Sequence, residues 1–104
     1  MYPKVIELLL KLKNRPEIYL GKRSISLLDT FIAGFVYAYF TEYGKAAFEN
    51  DFSGFNKWIA EKYSIIENIN WVTIILMQAE NDEERALDLF YELLSEFISD
   101  CCVS

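Results

Sequence analysis

Apolar residues recur every three or four positions along most of the chain, which is the spacing of helices with one buried face. The first such stretch covers residues 4–13, and its apolar face comprises Val5, Leu8, Leu9 and Leu12. The helix should end before Pro16, because proline disfavours helical geometry in the residue that precedes it. Residues 14–25 then contain Pro16 and Gly21 and predict an ordered loop. We expect its apolar side chains to hold it in place; they are Ile18, Tyr19 and Leu20.

A longer helix is predicted from Ser26 to Gly44. Ser26 and Asp29 have capping-box spacing, in which two side chains satisfy the first N–H groups of a helix. The expected buried face consists of Leu28, Phe31, Ile32, Phe35 and Tyr39. Gly44 is a suitable stop, and Gly34 inside the helix costs about 1 kcal/mol relative to alanine. We expect a neighbouring helix to approach Gly34 closely, with a ligand contact there as the less favoured alternative.

The next two segments are also predicted to be helical. Asp51 can cap the first, whose apolar positions are Phe52, Phe55, Trp58 or Ile59, and Tyr63. Residues 70–80 are apolar almost throughout and contain several β-branched side chains, so a buried strand is an alternative. No second strand pattern is present to pair with it, and an unpaired buried strand leaves its backbone donors unsatisfied. We therefore predict a central helix.

The last helix has the clearest pattern. Asn81 and Glu84 are spaced as an N-cap residue and its partner. The apolar face comprises Ala86, Leu87, Phe90, Leu93, Leu94, Phe97 and Ile98. The sequence as a whole predicts an all-α protein, a single compact domain over residues 1–104 with about five main helices. Residues 100–104 should form a flexible tail.

The composition removes most kinds of active site. The chain has 104 residues, of which 53% are hydrophobic, and it contains no histidine. Histidine-based triads, imidazole metal ligands and the usual proton carrier at neutral pH are therefore excluded. Cys101 and Cys102 are adjacent, which is no disulfide framework and, without other soft ligands, a poor metal site. We predict no enzymatic activity, no cofactor and no metal ion; a small enzyme that uses carboxylates alone is the remaining catalytic alternative.

The net charge of −6 argues against nucleic acid or an anionic membrane as the main partner, because both reward lysine and arginine. Six basic and two acidic residues lie within 1–23, whereas four basic and fourteen acidic residues lie within 24–104. The excess of acidic residues indicates a basic protein partner. The alternative is that it contributes only to solubility. The N-terminal segment lacks a signal-peptide cleavage site, and the longest apolar run is too short to span a bilayer. We therefore predict a cytoplasmic protein.

Carboxylates recur every four residues along the last helix. We call these five residues the acidic ridge: Glu84, Asp88, Glu92, Glu96 and Asp100. Each step of four turns about 40° past a full circle, so the ridge slants around the helix. Like charges at this spacing cost about 0.2–0.5 kcal/mol per pair. The ridge is either a solvated face or a docking surface for a basic partner.

The docking alternative names particular contact residues. The candidate partner-binding carboxylates are Asp82, Glu83, Glu84, Asp88, Glu92 and Glu96. Tyr43 is the candidate aromatic anchor, since aromatic side chains often dominate interface energies. Tyr37 and Phe48 are also difficult to assign to the core and are further candidates for exposed anchors.

Residues 15–35, with the sequence RPEIYLGKRSISLLDTFIAGF, resemble a motif of small bacterial proteins encoded beside polymorphic toxins. The matching positions are Arg15, Pro16, Tyr19, Leu20, Gly21, Ser24, Ile25, Phe31 and Gly34. Similar positions follow later in the chain, at Phe52, Phe55, Trp58, Ile59, Trp71, Asp82, Glu83, Ala86, Phe90, Leu93 and Phe97. The resemblance implies an immunity protein of a contact-dependent growth inhibition system, most similar to the all-α kind paired with an RNase A-like toxin.

Such a protein would stay in the cytoplasm and bind the C-terminal toxin domain delivered by neighbouring cells. The resemblance identifies no contact residues, so the candidates above come from the charge pattern alone. A nuclease toxin has to hold an anionic substrate, and an acidic helix can fill its basic cleft as a phosphate mimic. The alternative function is a non-catalytic helical adaptor, or a structural interaction module, for another cytosolic protein.

Overall fold

The computed structural model describes residues 5–44 and 51–101, apart from the side chains of Tyr43 and Cys101. Within these ranges the chain forms six α-helices and no β-strand. They are α1 (Val5–Leu12), α2 (Pro16–Leu20), α3 (Ile25–Tyr43), α4 (Phe55–Lys62), α5 (Trp71–Gln78) and α6 (Glu83–Cys101). The all-α prediction is confirmed. In the described part of the chain, no helix combines the length and apolar character that crossing a membrane requires.

The chain divides into two compact units, Met1–Gly54 with α1 to α3 and Phe55–Ser104 with α4 to α6. Each unit buries a set of apolar side chains. In the first unit they are Val5, Ile6, Leu9, Leu12, Ile25, Leu28, Ile32 and Phe52. In the second they are Phe55, Ile59, Trp71, Val72, Ile74, Ile75, Ala79, Ala86, Leu87, Phe90, Tyr91, Leu93, Leu94 and Phe97. The organisation of residues 1–104 as a single domain stays a prediction.

The first turn of α1 is capped by a residue far along the chain. A carboxylate oxygen of Asp51 accepts a hydrogen bond from the backbone N–H of Ile6, at 3.0 Å. The first N–H groups of a helix lack partners within the helix, and the helix dipole favours a negative charge there. The prediction that Asp51 caps the helix following it is wrong, because α4 begins only at Phe55.

Residues 14–25 contain the short helix α2, where the sequence predicted a loop. Pro16 lies at the start of this helix, where its missing N–H costs no helical hydrogen bond. Gly21 ends the helix with φ +88°, and its N–H donates to the carbonyl of Glu17 at 2.9 Å. Ile18 and Tyr19 are 61% and 53% exposed. The expectation that Ile18 anchors the segment is therefore wrong, whereas the ring of Tyr19 packs edge-on against Phe31 of α3, with the ring centroids 6.5 Å apart.

Helix α3 begins one residue earlier than its predicted start. The hydroxyl oxygen of the buried Ser24 accepts a hydrogen bond from the backbone N–H of Leu27, at 3.2 Å, so Ser24 is the N-cap. The predicted cap, Ser26, is instead exposed within the first turn. The predicted stop is confirmed, since Gly44 has φ +64° and its N–H donates to the carbonyl of Phe40.

The predicted inner face of α3 is partly confirmed. Leu28 and Ile32 are buried, whereas the three aromatic positions, Phe31, Phe35 and Tyr39, are half-buried. Gly34 is exposed, and no described atom lies within 4 Å of the position that a Cβ would occupy, apart from its own helix backbone and chain neighbours. The expected close approach of a neighbouring helix is therefore wrong for the described residues.

Asp29 should make the stability of the protein depend on pH. It is half-buried in α3, and burial raises the pKa of its carboxyl above the ordinary value of 3.8. Ionised Asp29 therefore lowers the free energy of unfolding. This loss is absent well below pH 3.8, where the carboxyl is protonated in both the folded and the unfolded chain. It grows as the pH rises and reaches its full value above the raised pKa. Asp29→Asn should raise the urea midpoint at pH 7 and leave it unchanged near pH 3. The exposed Glu17→Gln controls for the lost charge, and an equal gain at both pH values would exclude ionisation as the cause.

The second unit is built around the ring of Phe55, which is fully buried. Four aromatic rings from α4, α5 and α6 surround it, at centroid distances between 5.3 and 5.9 Å. They belong to Trp58, Trp71, Phe90 and Phe97. Edge-on and offset arrangements of this kind are favourable beyond the area that they bury. This aromatic cluster joins the three helices.

The helical prediction for residues 70–80 is confirmed by α5, whose start is held by two asparagines. The side-chain oxygen of Asn70 accepts from the N–H of Val72 at 2.8 Å. The side-chain oxygen of Asn56, in α4, accepts from the N–H of Trp71 at 2.7 Å, and its amide nitrogen donates to the carbonyl of Ile69 at 3.2 Å. Two of the N–H groups that lack helical partners are thus satisfied, and α4 is joined to the start of α5.

The N-cap of α6 is Asp82. One of its carboxylate oxygens accepts from the backbone N–H groups of Glu84 and Arg85, each at 3.1 Å. The predicted cap, Asn81, instead lies in the turn before α6 with a left-handed φ of +62°. Six of the seven apolar positions predicted for the inner face are buried, and Ile98 is half-buried.

The predicted flexible tail overlaps the end of α6. Residues 100 and 101 are helical, so this part of the prediction is wrong. Residues 102–104, which include Cys102, lie outside the described residues.

Candidate partner-binding surface

The acidic ridge lies on the outer side of α6. All five of its carboxylate residues are exposed, and the buried residues of the helix occupy the opposite side. Successive members rise by about 6 Å along the axis and turn by about 40°. The helix thus presents a regular line of negative charge. Of the two acidic residues beside its start, Asp82 is exposed and caps the helix, and Glu83 is half-buried.

The C-terminal half of the ridge is bound to α4 within the same unit. The ammonium of Lys62 donates to a carboxylate oxygen of Glu96 at 2.9 Å, and the indole N–H of Trp58 donates to Asp100 at 3.0 Å. The hydrogen bond to Glu96 raises the pKa of Lys62. Lys62 also lies 5.8 Å from the centroid of the Trp58 ring. Glu96 and Asp100 therefore hold two helices together, which the sequence did not indicate.

The N-terminal half of the ridge borders an open groove between α5 and α6. Its lining residues are Gln78, Ala79, Arg85, Asp88, Leu89 and Glu92, around a volume of about 420 Å³. Asp88 and Glu92 are exposed, whereas Ala79 is buried and Leu89 half-buried. The groove thus combines two carboxylates, one guanidinium and a small apolar area. It suits the charged end and aliphatic stem of a lysine or arginine side chain.

The turn that leads from α5 into α6 carries backbone strain beside this groove. Glu80 and Asn81 both have positive φ values, of 56° and 62°. Such a conformation is unfavourable for residues other than glycine, although asparagine tolerates it better. The N–H of Asn81 donates to the carbonyl of Leu76 at 2.8 Å, which ties the turn to the end of α5. Arg85 lies 3.9 Å from Glu80, so the only basic residue of the groove faces a carboxylate of this turn.

The structure brings together some predicted contact residues and not others. Asp88 and Glu92 meet at the groove, whereas Glu96 belongs to the contact with α4. Tyr43 ends α3 in the other unit, but its side chain, like the whole of Phe48, lies outside the described residues. Sequence reasoning missed Gln78 and Leu89 in the groove; the change from apolar to polar residues at the end of α5 is the one signal that marks Gln78.

Among the described residues, no group of three or more carboxylate, cysteine or histidine side chains is placed to hold a metal ion. Within the same ranges, every buried side-chain nitrogen or oxygen has a hydrogen-bond partner. The exposed carboxylates of the ridge and the groove place negative charge on the surface of α6. Their arrangement can attract and position cationic groups.

No known protein family matches the sequence, and neither a curated protein nor a solved structure is significantly similar to it. The resemblance of residues 15–35 to immunity proteins therefore stays a prediction. A function has to be argued from the residues and surfaces of this chain.

Proposed function

We propose that this protein is an immunity protein that binds and neutralises a cognate toxin domain delivered by neighbouring bacteria. The toxin is a nuclease, most specifically a ribonuclease, and the complex forms in the cytoplasm. The immunity protein has no enzymatic activity of its own. It occludes the substrate cleft of the toxin with the acidic surface of α6. The motif resemblance supports the class of protein, and the groove beside the acidic ridge supports the manner of binding.

The observation that carries the proposal is the placement of Glu84, Asp88 and Glu92 on one exposed side of α6, with the last two at the groove. A nuclease cleft is lined by cationic groups that hold successive phosphates of a nucleic acid. Carboxylates that repeat about every 6 Å along a rigid helix present comparable negative charge. The helix can thus compete with substrate for the same cationic groups.

The uneven charge of the chain supports the same mode of binding. Residues 24–104 hold fourteen acidic and four basic residues, and the ridge lies within them. Complementary potentials accelerate the encounter of two proteins and disfavour wrong partners. Binding should therefore weaken as salt concentration rises, because surface charges are screened.

A pair of matched charge variants tests the groove. Asp88→Asn combined with Glu92→Gln should weaken toxin binding by about 10- to 30-fold at low salt and flatten its salt dependence, because each lost contact contributes about 1 kcal/mol. The control combines Glu7→Gln with Glu17→Gln, two exposed residues of the first unit, and removes the same charge. It should change affinity by less than about threefold. The measurement is calorimetric titration with the C-terminal domain of the toxin encoded beside this protein, at two salt concentrations.

The outcomes separate the function from the surface. Tight binding that both double variants weaken equally, or that neither weakens, would retain the immunity function and exclude the groove. No binding by the wild-type chain, and no protection of RNA from the toxin domain, would contradict the immunity function itself. The helical adaptor would then be the better interpretation.

A further inference from the structure

The groove beside α6 contains charges of both signs. Arg85 is the only basic residue after Lys62 in the sequence, and it lines the groove together with Asp88 and Glu92. A site for a cation alone gains nothing from a guanidinium, because like charges repel one another. The position of Arg85 therefore indicates that the bound group carries a negative charge as well as a positive one.

The two signs of charge are separated along the axis of α6. Arg85, Leu89 and Glu92 follow one another at the i, i+4 and i+7 positions, so they share one side of the helix. The rise from the first to the last of these residues is about 10.5 Å. Leu89 lies between them and is half-buried, and Asp88 adds a second carboxylate beside it. The groove thus runs from a cation past an apolar side chain to an anion.

Arg85 can exchange its present partner for a ligand. Its guanidinium lies 3.9 Å from Glu80, which is too long for a hydrogen bond, and the two side chains are 61% and 81% exposed. Exposed ion pairs of this kind contribute only about 0–1 kcal/mol. A carboxylate that accepts two parallel hydrogen bonds from the guanidinium is a stronger partner. Such a carboxylate can therefore replace Glu80 at small cost.

We infer that the groove binds an arginine at the C-terminal end of a polypeptide. The α-carboxylate of this residue pairs with Arg85, its aliphatic stem lies on Leu89, and its guanidinium reaches the carboxylates of Asp88 and Glu92. Six bonds separate its carboxylate carbon from its guanidinium carbon, so the extended residue spans about 7 Å and leaves room for a contact at each end. An arginine within a chain lacks the carboxylate, and lysine has fewer donors for two carboxylates.

The inference deepens the proposed function, because it names the chemistry of the group that the groove accepts. It rests on that function only for the identity of the protein that supplies the chain end. Small probes therefore test the groove without the toxin.

The probes are acetylarginine, which has a free carboxylate, and its amide, which has none. Both are titrated into the full chain at equal ionic strength, and heteronuclear NMR follows the amide signals of Arg85, Leu89 and Glu92. Acetylarginine should bind with a dissociation constant of about 1–10 mM, about 3- to 5-fold more tightly than its amide, because one exposed ion pair contributes up to about 1 kcal/mol. The net charge of −6 favours the opposite order, since acetylarginine is neutral overall and its amide is positively charged.

Variants assign the preference to one side chain. Arg85→Gln should abolish the preference for acetylarginine and bind the amide at least as tightly as the wild type does. Lys57→Gln is the matched control: it removes the same charge from an exposed position of α4 and should keep the preference. Free arginine carries an ammonium group beside its carboxylate, which Arg85 repels, so it should bind more weakly than acetylarginine. Far-UV circular dichroism establishes that each variant is folded.

Several results would overturn the inference. They are an amide that binds as tightly as acetylarginine, a preference that folded Arg85→Gln retains, and tighter binding of free arginine, which would make an amino acid the ligand. Toxin binding without acetylarginine binding would contradict this inference alone. Acetylarginine binding with the expected preference, in a chain that does not bind the toxin, would contradict only the immunity function.

Discussion

Phe55→Ala should lower the free energy of unfolding by about 3–5 kcal/mol, the usual cost of removing a buried aromatic side chain. Phe55 is fully buried, and its ring contacts aromatic rings of all three helices of the second unit. The variant loses the burial of the ring and leaves a cavity among large, rigid neighbours that cannot easily close it. Since domains of this size are stable by only about 5–15 kcal/mol, the variant should lose a large part of the stability of the fold.

Urea denaturation followed by circular dichroism gives the comparison. Phe55→Leu keeps much of the apolar volume and should cost clearly less than the alanine variant. Ile66→Ala removes an apolar side chain that is 94% exposed and should change stability by no more than about 0.5 kcal/mol. A Phe55→Ala variant within about 1 kcal/mol of the wild type would contradict the central position of this ring.

Asn56→Ala should cost about 2 kcal/mol, because it removes two hydrogen bonds and leaves two part-buried backbone groups without these partners. The side-chain oxygen accepts from the N–H of Trp71 at 2.7 Å, and the amide nitrogen donates to the carbonyl of Ile69 at 3.2 Å. These bonds connect α4 to the start of α5. Their loss should loosen the beginning of α5 as well as lower overall stability.

Two further variants separate the contributions. Asn56→Asp keeps an acceptor for the N–H of Trp71 near a helix N-terminus, but its second oxygen replaces the donor to the carbonyl of Ile69, so it should protect the amide of Trp71 better than alanine does without restoring the full stability. Asn70→Ala removes the local cap alone and should cost about 1 kcal/mol. The measurement is the urea midpoint of each variant, with amide exchange at Trp71 as the local readout. Equal exchange rates at the amide of Trp71 in Asn56→Ala and Asn56→Asp would show that the bond to Trp71 contributes nothing.

Periodicity was sufficient to predict the long helices. The apolar side of α6 was predicted correctly at six positions that are buried, because a helix of 19 residues repeats its pattern over five turns. For α5 the sequence excluded the alternative of a buried strand, because no second strand was available to pair with it. A helix, in contrast, pairs its own backbone N–H and carbonyl groups. The sequence did not predict the short α2, because five residues are too few to show the helical spacing of apolar positions and the proline at its start indicated a loop.

Capping residues were predicted less well, because several nearby polar residues can fill the same role. Ser24 and not Ser26 caps α3, and Asp82 and not Asn81 caps α6. The N-cap is the residue at which the first helical turn of the backbone begins. The spacing of polar residues in the sequence does not determine where that turn begins. Asp51 shows the limit most clearly: it caps α1 across 45 residues of sequence.

The sequence by itself determined the helical class, the apolar sides of the long helices and the line of carboxylates on α6, because each follows from residues three or four apart on one helix. Only the tertiary structure decided how those carboxylates are used. Lys62 and Trp58 bind the far end of the ridge, and Gln78 completes the groove at the near end. These contacts join residues far apart in the chain. Their formation depends on how α4, α5 and α6 pack around Phe55, and helical periodicity carries no information about that packing.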